Sequence, residues 1–270
     1  MAGYRICTLY SGSGGNAVLI EAGGTRILID AGKSARTLCA SLCRIGVEME
    51  SISAIFITHE HHDHVSALET LAKKHEIPIH ITAESAKKFD RLPADSPLLS
   101  RLVCHPPLFE EAVGEMRVRS FRTPHDSRMS VGYRVEFCEG KQTKAVGLAT
   151  DIGYVTEEIA RSLYGCEAVV LESNHDIEML ENGPYPRELK TRILSRRGHL
   201  CNEESARLAA YLAEGGAKRF LLAHLSEENN TPSLARDAYE SALADERICL
   251  AVASPDEPTE LLGEGWEEVL

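Results

Sequence analysis

No apolar run in the sequence approaches the length of a bilayer span, so no membrane partner is expected. The first ten residues, Met1 to Tyr10, lack the apolar core of a secretory signal and go directly into a strand pattern. No Cys-x-x-Cys pair occurs among the eight cysteines, which removes the usual signs of a dithiol redox site or a structural zinc site. Cys39 and Cys43 sit one helical turn apart without a neighbouring histidine and read as helix-face residues. Free thiols fit a cytoplasmic location, which is the expectation. The glycine-rich stretch Ser11-Gly12-Ser13-Gly14-Gly15-Asn16 can aim backbone N–H groups at an anion, but lacks the Gly-Lys-Ser/Thr ending of a nucleotide P-loop. Taken alone it reads as a hairpin turn. Excess positive charge is also missing: the formal net charge of -12 argues against nonspecific attraction to nucleic acid. Asp256, Glu257, Glu260, Glu264, Glu267 and Glu268 supply half of that excess in a terminal segment without Lys or Arg. No internal repeat or low-complexity linker divides the chain.

What is present is a length of 270 residues with 43% hydrophobic content, enough to bury a large core. Strand and helix patterns alternate, and the strands are apolar on both faces. This predicts an α/β fold of two sheets covered by helices, as a single domain over residues 1–270 with an acidic tail at 254–270.

The densest chemical signal is Thr58-His59-Glu60-His61-His62-Asp63-His64, directly after the apolar strand pattern Ile52 to Ile57. At a strand end His59 and His61 point the same way and can reach one metal ion. Asp63 and His64 follow where the chain is expected to turn into a helix, Val65 to Ala72, and can face a second ion. Imidazole suits zinc and other first-row metals, and a carboxylate adds a hard anionic ligand. Two metals sharing a water can acidify it toward neutral pH and clamp a phosphoryl or carbonyl oxygen.

Further along, the strand Met116 to Phe121 breaks at Thr123-Pro124-His125-Asp126, and the strand Lys144 to Thr150 ends at Asp151. A histidine and an aspartate at strand ends are what a two-metal site still needs, and Asp151 can bridge. Arg219 to Ser226 reads as a strand ending in a histidine, His224, placed to complete the second metal's shell. Helices are expected from about Ser34 to Arg44 and, opened by an Asn202 cap, from Glu203 to Ala213. Gly183 to Leu200 is the most basic stretch, with Arg187, Lys190, Arg192, Arg196 and Arg197 against Glu188. His75, His80 and His105 fall outside any ligand spacing and read as ordinary core or surface histidines.

The ordered set His59-x-His61-x-Asp63-His64, His125, Asp151, His224 resembles the metallo-β-lactamase fold superfamily. The resemblance implies a four-layer αββα sandwich with a two-metal site at the sheet edges. It implies that His59, His61 and His125 hold one ion, that Asp63, His64 and His224 hold the other, and that Asp151 bridges them. The ions would be zinc, with manganese as the alternative. More narrowly, Ser11 to Asn16, Thr150 to Gly153, Glu172 to Asp176, Gly198 to Asn202 and His224 to Asn230 resemble its YycJ or WalJ branch. Members of that branch are regarded as cytoplasmic hydrolases proposed to digest DNA from 5' to 3'. His199 matches a histidine that contacts the scissile phosphate in the tRNA-processing relatives, and Glu172 an acid that supports the catalytic group. Cys201 departs from the serine expected there. The chain between Asp151 and His224 is too short for the inserted domain of the β-CASP nucleases.

The implied activity is metal-assisted hydrolysis of a phosphodiester, with a bridging hydroxide as nucleophile and DNA favoured over RNA as substrate. Asp63 would orient or deprotonate the water, and His199, supported by Glu172, would stabilise the phosphoryl oxygens or protonate the leaving oxygen. Ser13, Asn16, Arg187, Lys190, Arg196, Arg197 and Asn230 are the expected substrate contacts. The alternative is a hydrolase of small phosphodiesters, thioesters or lactones using the same ions.

Overall fold

In the computed structural model, which describes residues 3–243 and 247–263, the chain lays down two sheets one after the other. The first is built from β1 (Tyr4–Tyr10), β2 (Ala17–Ala22), β3 (Thr25–Ile29), β4 (Ala54–Phe56), β5 (Ile79–Thr82) and β6 (Leu102–His105). The second uses β7 (Glu110–Val113), β8 (Met116–Arg122), β9 (Val131–Glu139), β10 (Gln142–Ala149), β11 (Ala168–Glu172), β12 (Arg219–Ala223) and β13 (Cys249–Val252). A last strand, β14 (Thr259–Leu262), returns to the first sheet beside β1. Strands β3 to β6 run parallel, as do β10 to β13, while β1 to β3 and β7 to β10 are antiparallel.

Parallel neighbours require crossovers, and helices provide most of them. Ala35–Arg44 and Leu68–Lys74 cover the first sheet, and Asn202–Glu214 and Pro232–Ala242 the second. Alternation along a strand then sends side chains into two cores. Ile27 and Ile29 of β3 point between the sheets, where they share a core with Val118, Tyr133 and Leu148, while Leu28 packs under the helices with Leu38 and Leu68. Val170 of β11 likewise faces the other sheet, and Val169 and Leu171 face Ala209 and Leu212. Strands buried on both faces therefore read as continuous apolar runs. The layers are helix, sheet, sheet, helix, as expected.

The expected helix from Val65 to Ala72 is broken into His62–Val65 and Leu68–Lys74. Ala67 N–H donates to Ala31 O at 2.9 Å and Ser66 Oγ to Lys33 O at 2.5 Å, so this corner is tied to the end of β3 rather than to its own helical ladder. The helix at 202 is capped by Cys201, not Asn202, whose side-chain oxygen accepts from Ser173 Oγ at 2.7 Å. In the acidic segment Asp256 pairs with Lys33 at 2.7 Å, and Glu257 and Glu260 pair with Arg44 and Arg5. Glu264, Glu267 and Glu268 lie outside the described residues. No described helix is long and apolar enough to cross a membrane.

The topology also decides where polar residues collect. Asp30 follows β3, Thr58 to His64 follow β4, His125 follows β8, Asp151 follows β10, Glu172 ends β11 and His224 follows β12. Because β8 and β10 are both antiparallel to β9, they leave the sheet on the same side. Both sheets thus open their carboxyl ends along one edge, the place where parallel sheets accept ligands.

Candidate metal centre

The loop after β4 is held in place by its backbone. Asp63 O accepts from Asn16 N–H at 2.8 Å and His64 O from Ala31 N–H at 2.8 Å, which clamps the loop against the ends of β2 and β3. His59, His61 and His125 then converge, with one ligand atom from each within 4.8 Å of the others. Asp63, His64 and His224 form a second such group, and His59, His64 and Asp151 a third that overlaps both. Asp151 lies between the first two. One of its oxygens is 3.4 Å from His64 Nε2, and the other is 3.7 Å from His125 Nε2 and 3.5 Å from His224 Nε2.

Four of the five imidazoles are oriented from behind. Thr58 Oγ donates to the Asp30 carboxylate at 2.9 Å and so can accept from His59 Nδ1 at 3.1 Å. His64 Nδ1 faces Asp30 Oδ2 at 2.8 Å, His125 Nδ1 faces Gly198 O at 3.1 Å, and His224 Nδ1 faces Glu172 Oε1 at 3.4 Å. With the outer nitrogens engaged, the inner ones point at each other. His59 Nε2, His224 Nε2 and Asp151 Oδ2 are buried and have no hydrogen-bond partner. Buried polar atoms that converge without partners are costly unless something between them takes their lone pairs. The donor set fits divalent cations, for which imidazole and carboxylate are ordinary ligands with outer hydrogen bonds of this kind.

The charge balance points the same way. Burial pushes His59 well below, and His125 below, the ordinary imidazole value. Burial would lower His224 too, but Asp151, Asp63 and Glu172 outweigh it and raise that imidazole to about 10. His64 is raised well above its usual value against the same burial, chiefly by Asp30 and Asp151. Burial opposes ionisation of Asp151, yet the surrounding His224, His64, His59 and His125 hold it well below the usual carboxylate range. Two of these residues, Asp151 and His224, also adopt left-handed backbone conformations, with φ of 56° and 58°. Non-glycine residues in that region are uncommon, and they gather where the surroundings force a side chain into place.

Residues 25–225 match the beta-lactamase superfamily domain. The chain belongs to the metallo-β-lactamase superfamily. It is 33% identical to Exodeoxyribonuclease YycJ of Bacillus anthracis, with 89% of each chain covered. It is 32% identical to Exodeoxyribonuclease WalJ of Streptococcus pneumoniae, over 96% of this chain and 97% of that one. Among solved structures, the metallo-β-lactamase fold protein YhfI of Bacillus subtilis superposes with a TM-score of 0.70 at 17% identity, covering 96% of this chain and all of that one. As a metallo-β-lactamase superfamily member the chain is a metal-dependent hydrolase.

In this superfamily member the remaining expected site residues separate into those at the cluster and those away from it. His199 Nδ1 lies 2.7 Å from Glu172 Oε1 and 3.7 Å from Asp151 Oδ1, and the imidazole lines a cavity of about 240 Å³ with Ser13, Tyr185 and His224. Glu172 is fully buried, its second oxygen accepting from Ile152 N–H at 2.6 Å. Burial works against its ionisation, but His199 and His224 keep it below the usual range. Asn16 is buried rather than presented to a substrate, because its amide is engaged by Gly12, Asp63 and His64. Asn230, expected at the substrate rim, is buried too, its amide bound to Ser173 and Asn202.

The basic stretch is not assembled at the centre. Lys190 donates to Glu181 O and Gly183 O at 2.8 Å, Arg196 lies over the Tyr154 ring at 4.0 Å, and Arg187 and Arg197 are exposed outside the cavity. Its member that does line the cavity is Arg192, paired with Asp126 at 2.5 Å. Sequence reasoning missed Asp30 and Thr58 as orienting groups. It also missed the contact of His80 Nδ1 with His105 Nε2 at 2.9 Å, a pair with Glu111 nearby.

Proposed function

We propose that the chain hydrolyses phosphodiester bonds of DNA from a chain end, in the 5'-to-3' direction. The observation that carries this reading is the Glu172-supported His199 beside the His/Asp cluster, in a chain alike over nine-tenths of its length to two exodeoxyribonucleases. His59, His61 and His125 would hold one divalent ion and Asp63, His64 and His224 the other, with Asp151 shared. Zinc suits the imidazole-rich set best, with manganese as the alternative. Bound there, such ions supply Lewis acidity and a water acidified toward neutral pH.

The chain's own groups do the rest. The Asp63 side chain is 23% exposed, held by His64 and by the Asn16 amide at 3.3 Å, and so is placed to take the proton of the attacking water. His199, with Nδ1 donating to Glu172, uses its other nitrogen to protonate the leaving oxygen. Ser13, exposed at the mouth of the cavity, contacts the substrate, and Arg192 meets a phosphate there. The free cysteines suit a reducing compartment, so the reaction is assigned to the cytoplasm.

The test is incubation of zinc- or manganese-loaded protein with end-labelled single- and double-stranded DNA, RNA and bis-p-nitrophenyl phosphate. Mononucleotides released in order from the 5' end of DNA are expected, as is a fall in kcat of about 10² to 10³ in His199→Ala with metal content retained. Hydrolysis confined to small esters would replace this reading with that of a small-molecule hydrolase.

A further inference from the structure

Beside the metal centre lies a trench of about 860 Å³ whose floor includes His61 and Asp63 and whose walls carry Lys87, Lys88, Arg91, Arg128 and Arg192. In a chain with a net charge of -12, this density of cations runs against the average. The four that are new come from two places. The turn Lys87–Phe89 and the residue after Asp90 supply three, and the loop that follows His125 supplies Arg128.

The acids nearby engage some of these cations and leave two of them without a carboxylate. Glu60 turns its carboxylate inward, accepting from Ser85 Oγ and from Arg128 N–H at 2.8 Å, and is 8% exposed. Asp90 is exposed and bears on the same trench. Lys87 pairs with the exposed Glu84, Lys88 donates to Glu60 O, and Arg192 pairs with Asp126. Among the described residues, neither the Arg91 nor the Arg128 guanidinium has a carboxylate partner. Two unpaired guanidiniums on a trench that runs into the metal ligands are poised for phosphate oxygens, which arginine binds through two parallel hydrogen bonds.

We infer that this trench is the track for the DNA strand, with Arg91 and Arg128 gripping phosphates on the side of His61 while the smaller cavity at His199 receives the chain end. The inference rests on the phosphodiesterase reading, and it places the grip on the turn at residues 87–91 and on Arg128 instead of on the basic stretch 187–197. The trench and the smaller cavity meet at Arg192, which lines both.

The test compares the full chain with the double variant Arg91→Ala/Arg128→Ala, and with Arg161→Ala/Arg207→Ala as a control that removes the same charge from exposed helical positions that do not line the trench. Binding of a fluorescein-labelled single-stranded oligonucleotide is followed by anisotropy across a salt series, and kcat/KM is measured for the oligonucleotide and for bis-p-nitrophenyl phosphate. The trench variant is expected to bind at least tenfold more weakly at 0.15 M salt. Its log–log salt slope should shrink by about 1.4, at about 0.7 for each of the two phosphates no longer neutralised. The preference for oligonucleotide over small ester should fall by at least tenfold, with the control near wild type. Equal affinity and salt slope in wild type and trench variant, or no binding of the oligonucleotide by wild type, would overturn the inference. If wild type binds DNA through these residues yet hydrolyses neither substrate, the phosphodiesterase reading fails while the trench stands.

Discussion

The Asp30 carboxylate sits 2.8 Å from Nδ1 of His64, and that contact leaves Nε2 as the nitrogen His64 turns toward the proposed metal centre. Asp30 also accepts from Thr58 N–H and Thr58 Oγ, so one buried acid aligns two consecutive parts of the ligand loop. Removing its charge loosens His64 and, through Thr58, His59. Asp30→Asn is therefore expected to weaken zinc binding by about 10- to 100-fold. Competition titration against a chelator of known affinity measures it, and an unchanged dissociation constant would show that Asp30 serves packing alone.

In the proposed mechanism Glu172 acts through His199 rather than on a substrate. In Glu172→Gln the amide keeps the shape but cannot hold Nδ1–H of His199 with the same strength, so kcat for bis-p-nitrophenyl phosphate, measured at saturating metal because His224 loses part of its support too, should drop by about 10- to 100-fold while KM changes little. The pH–rate profile should also shift on its alkaline limb. A variant with lower activity but the wild-type profile would point to a structural role instead.

Gly32 lies where the loops carrying Asn16 and Asp63 cross. A methyl group there would collide with the Asp63 carbonyl oxygen and the Asn16 nitrogen, both backbone atoms that cannot swing aside. Gly32→Ala is expected to cost about 3 kcal/mol or more, read as a lower thermal midpoint, and to reduce metal uptake as the clamp opens. A fully folded variant with intact metal content would mean the loops separate freely.

His80 supplies a pH dependence remote from the metal. Burial, with help from His105, lowers its imidazole from 6.5 to about 4. Between those values the unfolded chain binds a proton that the native chain refuses. The associated stability is complete above pH 6.5 and is lost as the pH falls toward 4. The drop bounds the effect at about 3 kcal/mol. Urea midpoints measured from pH 7 to pH 4 should fall less steeply in His80→Gln than in wild type, and parallel curves would exclude His80 as the source.

Much of the fold and most of the proposed ligand set could be read from the chain, because both are written locally. Apolar runs bounded by turns mark strands that are buried on both faces, and histidine and aspartate at their carboxyl ends have few other uses. What escaped was tertiary. Asp30 looks like any acid ending a strand until His64, far along the chain, folds against it. The stretch at Ser11 to Asn16 does join β1 to β2, but only the folded chain shows Asn16 reaching Asp63 and His64. The basic run at 187–197 was conspicuous because its charges are adjacent in sequence. The trench cations are dispersed over residues 87 to 192, and no window of sequence holds them together.

The left-handed backbone at Asp151 and His224 makes these two positions doubly locked. Asparagine, aspartate and histidine are the non-glycine residues that tolerate this conformation best, and two of the three are also metal-coordinating side chains. A mutation to glutamate or glutamine, which would keep a polar donor, must also force an ill-suited backbone. A mutation to glycine relaxes the backbone and deletes the donor. Evolutionary drift at either position therefore has almost nowhere to go, and an engineer seeking to alter the chemistry has more freedom at the trench wall than at these two corners.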